Sequence, residues 1–544
     1  MMKKDWQIIN PSPTGNLIQL LLEGRNIKDP VHFLQPLESD MLPYEDLSDI
    51  KKAADLVLKA IEEGWYIHIL ADVDLDGVAS NSMLFRYLSD YTNRVSWSIN
   101  VGKNHGLNIK DLPSYVGKYQ LVIAVDSSSD SCIEQKYLID NGIQVIVLDH
   151  HPVKKKGTAI IVNSQLNSYK NPALAGSGVT FKFIKYLDFL QGTTGAEDYY
   201  DLAASGIIGD MQDIGEDSKE NRWICHKGFS QLINPGLKEL VGKYTFNGTC
   251  ISFSIAPMVN AGVRCKHGEL SAQLLLEDDK KKVKKIIEEL TNLKEIQNIQ
   301  KDTLVKDLEI EIEENHMESD KVMGFLISNR DGAMEADITG LVGNVLSAKY
   351  DCLVIIVHPT EKEGVLKGSI RGNGIPNFKE TVFNTKLVIF CEGHPGAAGI
   401  SLYKSEWNTL ITTLNKQLEN TELTIVSNAD MILKPKELTM ALIKKIEFIN
   451  MISGTGFKPI NIVIEGLEAT GITKMKNIHS KFIADTIEFI QWNSDLSERL
   501  RCDTGIYKTI NVVGTPGISN FMGKTSRQII INDTIIESHL EFFR

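Results

Sequence analysis

Three carboxylates stand close together in the run ADVDLDG, which contains Asp72, Asp74 and Asp76. The run directly follows the short apolar segment WYIHILA, which has the pattern of a strand. Carboxylates at alternate positions of one turn repel one another unless a cation neutralises them. The spacing therefore indicates a divalent metal site. A solvated acidic turn is the alternative that this cluster alone leaves open.

The spacing DxDxDG also begins EF-hand calcium loops. Such a loop needs a glutamate at its twelfth position and a helix in front of it. The twelfth position here is Met83, and the preceding segment is strand-like. The sequence therefore disfavours a calcium-binding loop.

Further acidic residues and histidines follow three other apolar segments, which we interpret as strand ends. In chain order they are Asp126 in AVD, Asp149, His150 and His151 in LDHH, and Asp210 in ASGIIGD. Because the carboxyl ends of parallel strands line one edge of a sheet, where ligands bind, we expect these side chains to converge on one crevice. A buried histidine pair without metal is the alternative for either histidine taken singly.

This combination of ligands suggests a reaction class. Carboxylate and imidazole groups without thiolates suit manganese, and magnesium less naturally. Two such ions a few ångströms apart would activate a water molecule and neutralise a phosphoryl oxygen. The sequence therefore predicts a phosphoester hydrolase.

A second set of candidate residues lies in Gly-containing segments later in the chain. EGHPGAAG contains Gly393 and His394, which offer a backbone N–H and an imidazole to a phosphate. Arg264 in NAGVR and Arg371 in GSIRGNG each offer a guanidinium that binds phosphate in bidentate fashion. A simple turn and surface ion pairs are the structural alternatives.

These residues need a scaffold of alternating strands and helices. From about Asp46 to Asp213, apolar strands alternate with amphipathic helices, which predicts a parallel sheet covered on both faces. A long amphipathic helix begins near Val283 and leads to a second α/β unit. After a helix near residues 438–452, GTGFKP breaks the chain, and the β-rich runs that follow predict a small barrel or sandwich.

Length and composition agree with a multidomain globular protein. The chain has 544 residues, which suggests roughly three domains. Its seven cysteines are scattered without a CxxC pair, which argues against a disulfide framework and a zinc knuckle. We find no apolar run long enough to span a membrane and no secretory signal, so we expect a cytoplasmic protein without membrane contact.

The formal net charge of −12 would at first argue against a polyanionic partner. Several of the carboxylates, however, belong to the predicted metal site, where two divalent cations would compensate them. The total charge therefore says little about the predicted crevice. Without metal, the site should repel nucleic acid.

Taken together, the motifs resemble those of the DHH phosphoesterase superfamily and, within it, the RecJ-type single-strand DNA exonucleases. The runs that carry the resemblance are, in order, ADVDLDG, AVD, LDHH, GIIGD, NAGVR and GHPGAAG. Similarity extends from about Ile50 to Leu402. The chain departs from the usual pattern at Ala71, Val73 and Gly209, and GHPGAAG lacks one glycine of the common triple.

The resemblance implies a role for each candidate residue. It implies two metal ions, preferentially Mn²⁺ with Mg²⁺ as the other choice, held by Asp74, Asp76, Asp126, His150 and Asp210. It makes Asp72 and Asp149 auxiliary catalytic groups that hold the ligands, and it turns His151 toward the scissile phosphate. It assigns the binding of the nucleic-acid backbone to Arg264, Arg371, Gly393 and His394.

The fold implied is an α/β, parallel-sheet DHH domain joined by a long helix to a second α/β, DHH-associated domain, followed by a C-terminal β-rich, OB-like domain. The predicted division is an N-terminal extension at 1–45, the DHH catalytic domain at 46–270, the connecting helix at 271–315, the substrate-binding domain at 316–430 and the OB-like domain at 431–544.

The activity implied is metal-dependent, 5′-to-3′ hydrolysis of single-stranded DNA to mononucleotides, in repair or recombination. A single-strand-binding protein or a helicase is the expected protein partner, and we expect a monomer. A nanoRNase or cyclic-dinucleotide phosphodiesterase of the same superfamily is an alternative, although those enzymes are generally shorter and lack the C-terminal β domain. A non-catalytic DNA-binding relative is another, against which the intact ligand motifs argue.

Overall fold

Three sheets organise the described part of the chain, which comprises residues 3–100, 105–327, 334–372, 375, 377–394, 396–421, 424–476, 478–501, 506–521 and 523–540 of a computed structural model. The N-terminal segment forms β1 (Lys3–Asn10), α1 (Leu17–Gly24) and α2 (Pro30–Leu34). No helix within the described ranges combines the length and apolarity that a bilayer crossing demands.

The first α/β domain begins with a five-stranded sheet. Its elements are α3 (Ile50–Glu62), β2 (Ile67–Ala71), α4 (Leu75–Ser89), β3 (Val95–Ile99), β4 (Leu121–Val125), α5 (Cys132–Asp140), β5 (Gln144–Asp149) and β6 (Ile160–Asn163). The strand order is β3-β2-β4-β5-β6, and every pairing is parallel. All residues of β2 and β4 are buried, as expected of a sheet covered on both faces. The predicted parallel sheet is confirmed.

A helical layer completes this domain. It consists of α6 (Gly176–Gln191), α7 (Tyr200–Gly209), α8 (Lys219–Ser230), α9 (Pro235–Val241), the short α10 (Gly248–Cys250), α11 (Ala256–Arg264) and α12 (Gly268–Leu276). A π-helical turn at Ile251–Ile255 joins α10 to α11. The helices and the sheet share one large apolar core.

A long helix, α13 (Lys280–Glu314), leaves this domain. Its first turn is capped by Asp279, whose side chain accepts hydrogen bonds from the backbone N–H groups of Lys281 and Lys282. Val283 and Leu290 pack in the core of the first domain, and Leu304 and Ile312 pack in a core of the second. The predicted connecting helix is therefore present, and it is anchored at both ends.

The second α/β domain has a mixed sheet. Its elements are β7 (Val322–Leu326), α14 (Met334–Tyr350), β8 (Leu353–Pro359), β9 (Val365–Gly372), α15 (Phe378–Asn384), β10 (Phe390–His394), β11 (Ala397–Tyr403) and α16 (Trp407–Leu418). The strand order is β10-β11-β9-β8-β7. Only the β7–β8 pairing is parallel among these described strands; the others are antiparallel.

The C-terminal domain is β-rich, as predicted. It contains β12 (Thr424–Ile432), α17 (Met440–Asn450), β13 (Ile462–Glu468), β14 (Thr470–Met475), β15 (His479–Ala484), β16 (Ile487–Gln491), α18 (Leu496–Arg499), β17 (Ile506–Phe521) and β18 (Lys524–Leu540). The sheet has the order β1-β12-β13-β17-β18-β16-β15-β14. Its last two strands form a long antiparallel hairpin.

The N-terminal segment belongs to this last sheet. Strand β1 pairs in parallel with β12, with Lys3 opposite Thr424 and Asn10 opposite Met431. Leu21 and Phe33 join the apolar core of the C-terminal domain. The predicted extension at 1–45 therefore contributes a strand and two helices to a domain at the other end of the chain.

Candidate metal centre

The candidate metal site lies at the carboxyl edge of the first sheet. The ends of three adjacent strands are in register there, because Ala71 of β2 pairs with Val125 of β4, which pairs with Leu148 of β5. The next residue on each strand therefore reaches the same edge. These residues are Asp72, Asp126 and Asp149.

His150 stands at the centre of the cluster. Its Nε2 atom lies 3.3 Å from Oδ1 of Asp126, 3.4 Å from Oδ2 of Asp210 and 3.9 Å from Oδ2 of Asp76. Within the described part of the chain, His150 Nε2 and Asp126 Oδ1 are buried without a hydrogen-bond partner. Burial lowers the pKa of His150, which keeps the ring neutral and able to act as a ligand.

Two overlapping groups of ligand atoms share this histidine. One contains Asp126, His150 and His151, and the other contains Asp76, His150 and Asp210. In each group the candidate ligand atoms lie within 4.8 Å of one another. Buried, unpartnered oxygen and nitrogen atoms that face one another in this way fit divalent cations of the manganese or magnesium type.

The protonation equilibria of the carboxylates reflect their crowding. Burial, together with the charges of Asp72 and Asp76, raises the pKa of Asp74 to about 7. Burial and the charge of Asp76 raise the pKa of Asp210 to about 7. Burial and the charges of Asp76 and Asp74 raise the pKa of Asp126 well above its usual range. Like charges gathered in a desolvated pocket behave in this way when no cation compensates them.

The N-terminus of helix α6 donates hydrogen bonds to one carboxylate of the cluster. The carboxylate of Asp76 accepts hydrogen bonds from the backbone N–H groups of Gly176 at 2.7 Å and Ser177 at 2.9 Å, at the first turn of α6. A Cβ atom at Gly176 would lie 2.4 Å from Oδ1 of Asp126, and one at Gly206 would lie 2.2 Å from Oδ1 of Asp76. The helices can therefore approach the carboxylates only because these positions are glycine.

Asp149 holds the LDHH turn rather than facing the other ligands. Its Oδ1 atom accepts hydrogen bonds from the backbone N–H of His150 at 2.7 Å and from Nδ1 of His151 at 2.8 Å. Its Oδ2 atom accepts one from the backbone N–H of Ser129 at 3.1 Å. Although burial acts in the opposite direction, the hydrogen bond from His151 and its charge lower the pKa of Asp149 to about 2.

His151 is the more exposed member of the pair. Burial alone would lower its pKa, but the hydrogen bond to Asp149 and the charge of that carboxylate raise it to about 9. Because Asp149 holds Nδ1, the Nε2 atom is left to face a ligand. The ring can therefore act as a cationic donor at neutral pH, and its place in one of the two groups also makes it a possible ligand.

The predicted phosphate-binding residues lie on α11 and on the second domain. Arg264 ends α11, and Arg371 lies on β9. Burial, followed by the nearby charge of Arg264, lowers the pKa of Arg371. The two guanidinium groups are thus neighbours across the boundary between the two α/β domains.

The guanidinium of Arg371 also lies against α14. A Cβ atom at Gly340 would be 2.3 Å from its Nη2 atom. Gly393 has a φ of 142°, which favours glycine, and its backbone carbonyl accepts a hydrogen bond from Lys379 at 3.2 Å. The side chain of His394 lies outside the described residues. An exposed ion pair of 3.0 Å joins Lys154, close to the LDHH turn, to Glu392 on β10.

Comparison with known proteins gives two family matches. Residues 66–207 match the N-terminal domain of the DHH family, and residues 429–533 match the RecJ OB domain. This chain therefore contains a DHH-family domain and a RecJ-type OB domain, and it is RecJ-like in the order of the two.

Relatives of this RecJ-like chain match it over most of its length. The putative SPbeta prophage-derived single-strand DNA-specific exonuclease YorK of Bacillus subtilis is 29% identical, over 94% of each protein. The single-stranded-DNA-specific exonuclease RecJ of Bacillus subtilis is 26% identical, over 93% of this chain and 65% of that protein. RecJ of Thermus thermophilus, solved in complex with Mn²⁺, shares the fold with a TM-score of 0.80 and 20% identity, over 99% of this chain and 80% of that one.

The structure corrects one detail of the sequence interpretation of this RecJ-like site. Asp210 does not follow a strand: the apolar run before it is the helix α7, and the residue lies at the C-terminal end of that helix. The buried run has few polar residues to reveal a helical period, because α7 packs against α4, α6 and α8. Asp210 nevertheless reaches the cluster, as its distance from His150 shows.

Asp74 and Asp72 each make hydrogen bonds that the other carboxylates of the cluster do not share. Oδ1 of Asp74 accepts hydrogen bonds from the backbone N–H groups of Asp76 at 3.0 Å and Gly77 at 3.1 Å, so that this side chain caps α4. Asp74 is not in either group of ligand atoms found among the described residues. Asp72 contacts Nδ1 of His105 at 2.9 Å, and this hydrogen bond raises the pKa of His105 despite burial.

Sequence reasoning missed His105. It stands alone in a polar loop between β3 and β4, and neither its spacing nor its neighbours in sequence indicate a function. The contact places His105 beside Asp72, directly after the end of β2. Sequence reasoning also missed the helix N-terminus that holds Asp76, because the contact joins residues 100 positions apart and neither segment indicates the other.

Proposed function

We propose that this chain is a metal-dependent exonuclease that hydrolyses single-stranded DNA from its 5′ end to mononucleotides. The observation that carries the proposal is the convergence of buried, unpartnered carboxylate and imidazole atoms on His150, at the edge of the sheet where the DHH motif ends β5. The curated relatives described above are named single-strand DNA-specific exonucleases, which supports the choice of substrate.

The residues best placed to hold two Mn²⁺ or Mg²⁺ ions are Asp76, Asp126, His150 and Asp210, with Asp74 as a further candidate. Solved RecJ proteins of Thermus thermophilus are in complex with Mn²⁺ and with Mg²⁺. When bound, such ions supply Lewis acidity toward a phosphoryl oxygen and lower the pKa of water.

The protein's own groups then orient the substrate and move protons. Asp149 and Asp72 fix the rings of His151 and His105 by the hydrogen bonds described above. His151, with its pKa of about 9, carries a proton at neutral pH and can donate it from Nε2 to a phosphate oxygen or to the departing 3′ oxygen.

The arginines position the strand. Arg264 and Arg371 would bind backbone phosphates, with Gly393 and His394 beside them. Contacts of this kind hold a strand without reading its bases, so we propose cleavage that is independent of sequence. A backbone phosphate bound between the two guanidinium groups would offset their mutual repulsion.

We further propose that the protein acts as a cytoplasmic monomer in DNA repair or recombination, with a single-strand-binding protein or a helicase as partner. We keep the five predicted parts as a proposal for functional units, although the segment 1–45 and the strand β12 both pack in the C-terminal domain. Light scattering from the full chain in solution checks the monomer, and a stable dimer at micromolar concentration would contradict it.

The test of the activity is digestion of single strands labelled at the 5′ or the 3′ end, with Mn²⁺, Mg²⁺ or chelator. We expect 5′ label to appear first as a mononucleotide, and only with metal. Dinucleotides degraded much faster than long strands would instead favour a nanoRNase or a cyclic-dinucleotide phosphodiesterase. Binding of single strands without hydrolysis under every metal condition would favour the non-catalytic relative.

A further inference from the structure

The segment 210–215, which begins with Asp210, has a strained backbone. Helix α7 ends at Gly209, and Met211 adopts a φ of 56°, in the left-handed region that non-glycine residues seldom occupy. Gln212 donates a hydrogen bond of 2.6 Å to Oδ2 of Asp210. Strain of this kind persists where the surroundings hold the backbone in place. Those surroundings are largely supplied by another domain.

The supporting element is the GTGF turn, residues 454–457, which the sequence shows only as a break in the chain. The backbone N–H of Ile214 donates a hydrogen bond of 3.0 Å to the carbonyl of Thr455. A Cβ atom at Gly456 would lie only 1.8 Å from Oδ1 of Asp213. That same oxygen accepts a hydrogen bond of 2.6 Å from the N–H of Gly215. The turn and segment 210–215 therefore fit against each other without space for an added atom.

Arg222 joins the same two elements to the N-terminal segment. Its guanidinium donates hydrogen bonds to the carbonyls of Phe33 at 2.6 Å, Ile214 at 3.1 Å and Ile452 at 3.1 Å. It also lies 3.5 Å above the ring of Phe33, which packs edge-on against Phe457 of the turn. The side chain is buried, so one planar cation fixes three distant parts of the chain at once.

We propose that the GTGF turn and Arg222 are positioning elements for Asp210, so that the C-terminal domain supports the metal centre directly. The inference rests on the proposed function in so far as Asp210 is taken as a metal ligand. Ligands must be held closely to bind a metal well, and the groups that orient them affect affinity strongly. A displacement of segment 210–215 should therefore weaken metal binding even though no ligand is changed.

The test is calorimetric titration of the full chain with Mn²⁺ alone. The variant Gly456→Ala adds one methyl group where Asp213 lies, and we expect the affinity for Mn²⁺ to fall about tenfold, as when an outer-shell partner is lost. In digestion of single strands the same variant should lower kcat more than it raises KM, because the residue does not lie among the phosphate-binding groups.

Gly466→Ala is the matched control. Gly466 is in the same domain and has a φ of 66°, close to the 78° of Gly456, but nothing lies within 4 Å of an added Cβ atom. The control therefore brings the same backbone strain without the contact. Equal Mn²⁺ affinity of the two variants would overturn the inference. Absence of Mn²⁺ binding by the wild-type chain would instead contradict the proposed function.

A double-mutant cycle tests whether Gly456→Ala lowers the Mn²⁺ affinity through its contact with Asp213. Asp213→Ala removes the atoms that an alanine at 456 would meet, so the effect of Gly456→Ala on Mn²⁺ affinity should be much smaller in that background. Should Gly456→Ala fail to fold, Arg222→Lys carries the test, because lysine keeps the charge but lacks the planar fork that joins the carbonyls of Ile214 and Ile452. Unchanged Mn²⁺ affinity of Arg222→Lys would then overturn the inference.

Discussion

The two sides of the proposed site differ in how their charges are held. On the first domain, carboxylates follow paired parallel strands, lie buried, and are fixed by backbone N–H groups of helices and turns. On the other side, the cations are long side chains at a helix end and on an antiparallel strand. One side concentrates negative charge, and the other concentrates positive charge.

We therefore assign metal binding to the carboxylate side and substrate binding to the arginine side. The carboxylate side needs a cation before it is electrostatically satisfied, so metal and site stabilise each other. On the arginine side, the proposed function assigns the compensating anions to the phosphates of the substrate. We therefore expect substitutions on the first side to act on metal binding and kcat, and substitutions on the second side to act mainly on KM.

The largest effect is expected from Asp126→Asn. The change keeps the shape of the side chain and removes one candidate ligand charge, so we expect kcat to fall by about 10³-fold or more, on the scale of a lost charge-stabilising group. The melting temperature of the metal-free protein should rise, because one of several mutually repelling carboxylates is gone. Steady-state digestion and thermal unfolding measure the two outcomes.

Asp140→Asn is the control for that variant. Asp140 is exposed on α5 and pairs with Lys136, so the substitution changes the net charge equally but lies outside the cluster. We expect near wild-type kcat from it. An Asp126→Asn enzyme that retained Mn²⁺-dependent digestion would remove Asp126 from the site.

The second prediction concerns Arg371. Loss of a charged hydrogen-bond donor to phosphate costs about 1.5–3 kcal/mol, so Arg371→Ala should raise KM for single strands roughly 10- to 100-fold with a smaller change in kcat. The slope of log affinity against log salt should also become shallower by about 0.7 for each phosphate that the variant no longer binds. Arg371→Lys should recover only part of the affinity, because it lacks the planar fork. A fall in kcat at unchanged KM would break the proposed separation of tasks.

The third prediction concerns pH and the metal-free protein. The pKa values of Asp74 and Asp210 are about 7 in the folded chain and 3.8 in the reference state. A raised folded pKa stabilises the protein fully below the lower value, and this stabilisation is lost as pH rises through the upper one. The metal-free unfolding free energy should therefore decrease from about pH 4 to about pH 7 through these groups.

Urea unfolding at several pH values measures this dependence. Asp210→Asn should flatten it, since one of the two groups no longer titrates. Saturating Mn²⁺ should flatten it as well, because a bound cation keeps the carboxylates ionised. An equal slope for wild type and Asp210→Asn would argue against Asp210 as a member of the crowded cluster.

The smallest effect is expected from the ion pair that crosses between the two sides. Glu392→Gln removes a negative charge from the edge of the arginine side and leaves Lys154 available to a phosphate. Exposed pairs contribute little, so we expect KM to fall only about twofold. Asp140→Asn, which opens an equally exposed pair with Lys136, should leave KM unchanged. A rise in KM would show that Glu392 assists binding.

Much of the carboxylate side could be predicted from sequence, since three of its four motifs directly follow or end a strand. The position of Asp72, Asp126 and Asp149 at one edge follows once the strands are known to be parallel. The sequence predicts a strand before Asp210 where the structure has the helix α7, because a fully buried helix and a buried strand look alike over about ten residues.

Contacts between distant parts of the chain could not be predicted in this way. Arg222 reads as an ordinary charged residue of a helix, yet it is buried among carbonyls of Phe33, Ile214 and Ile452. The pairing of β1 with β12 also leaves no local trace, because a short alternating strand carries no information about its partner. Tertiary contacts decide both features.

The pairing of β1 with β12 has a consequence for folding during synthesis on the ribosome. Trp6 donates a hydrogen bond to Asp533, a residue 527 positions later. Strand β12, which β1 joins, ends earlier, at Ile432, so at about 5–20 residues per second the ribosome needs roughly 20 to 85 s after Asn10 to complete it. During this time the N-terminal strand has no edge to join, while the first α/β domain can already fold. The C-terminal β-rich domain therefore completes the sheet for the N-terminal strand, and a nascent protein that stops before this domain lacks both the partner of β1 and the turn that we propose as the support of Asp210.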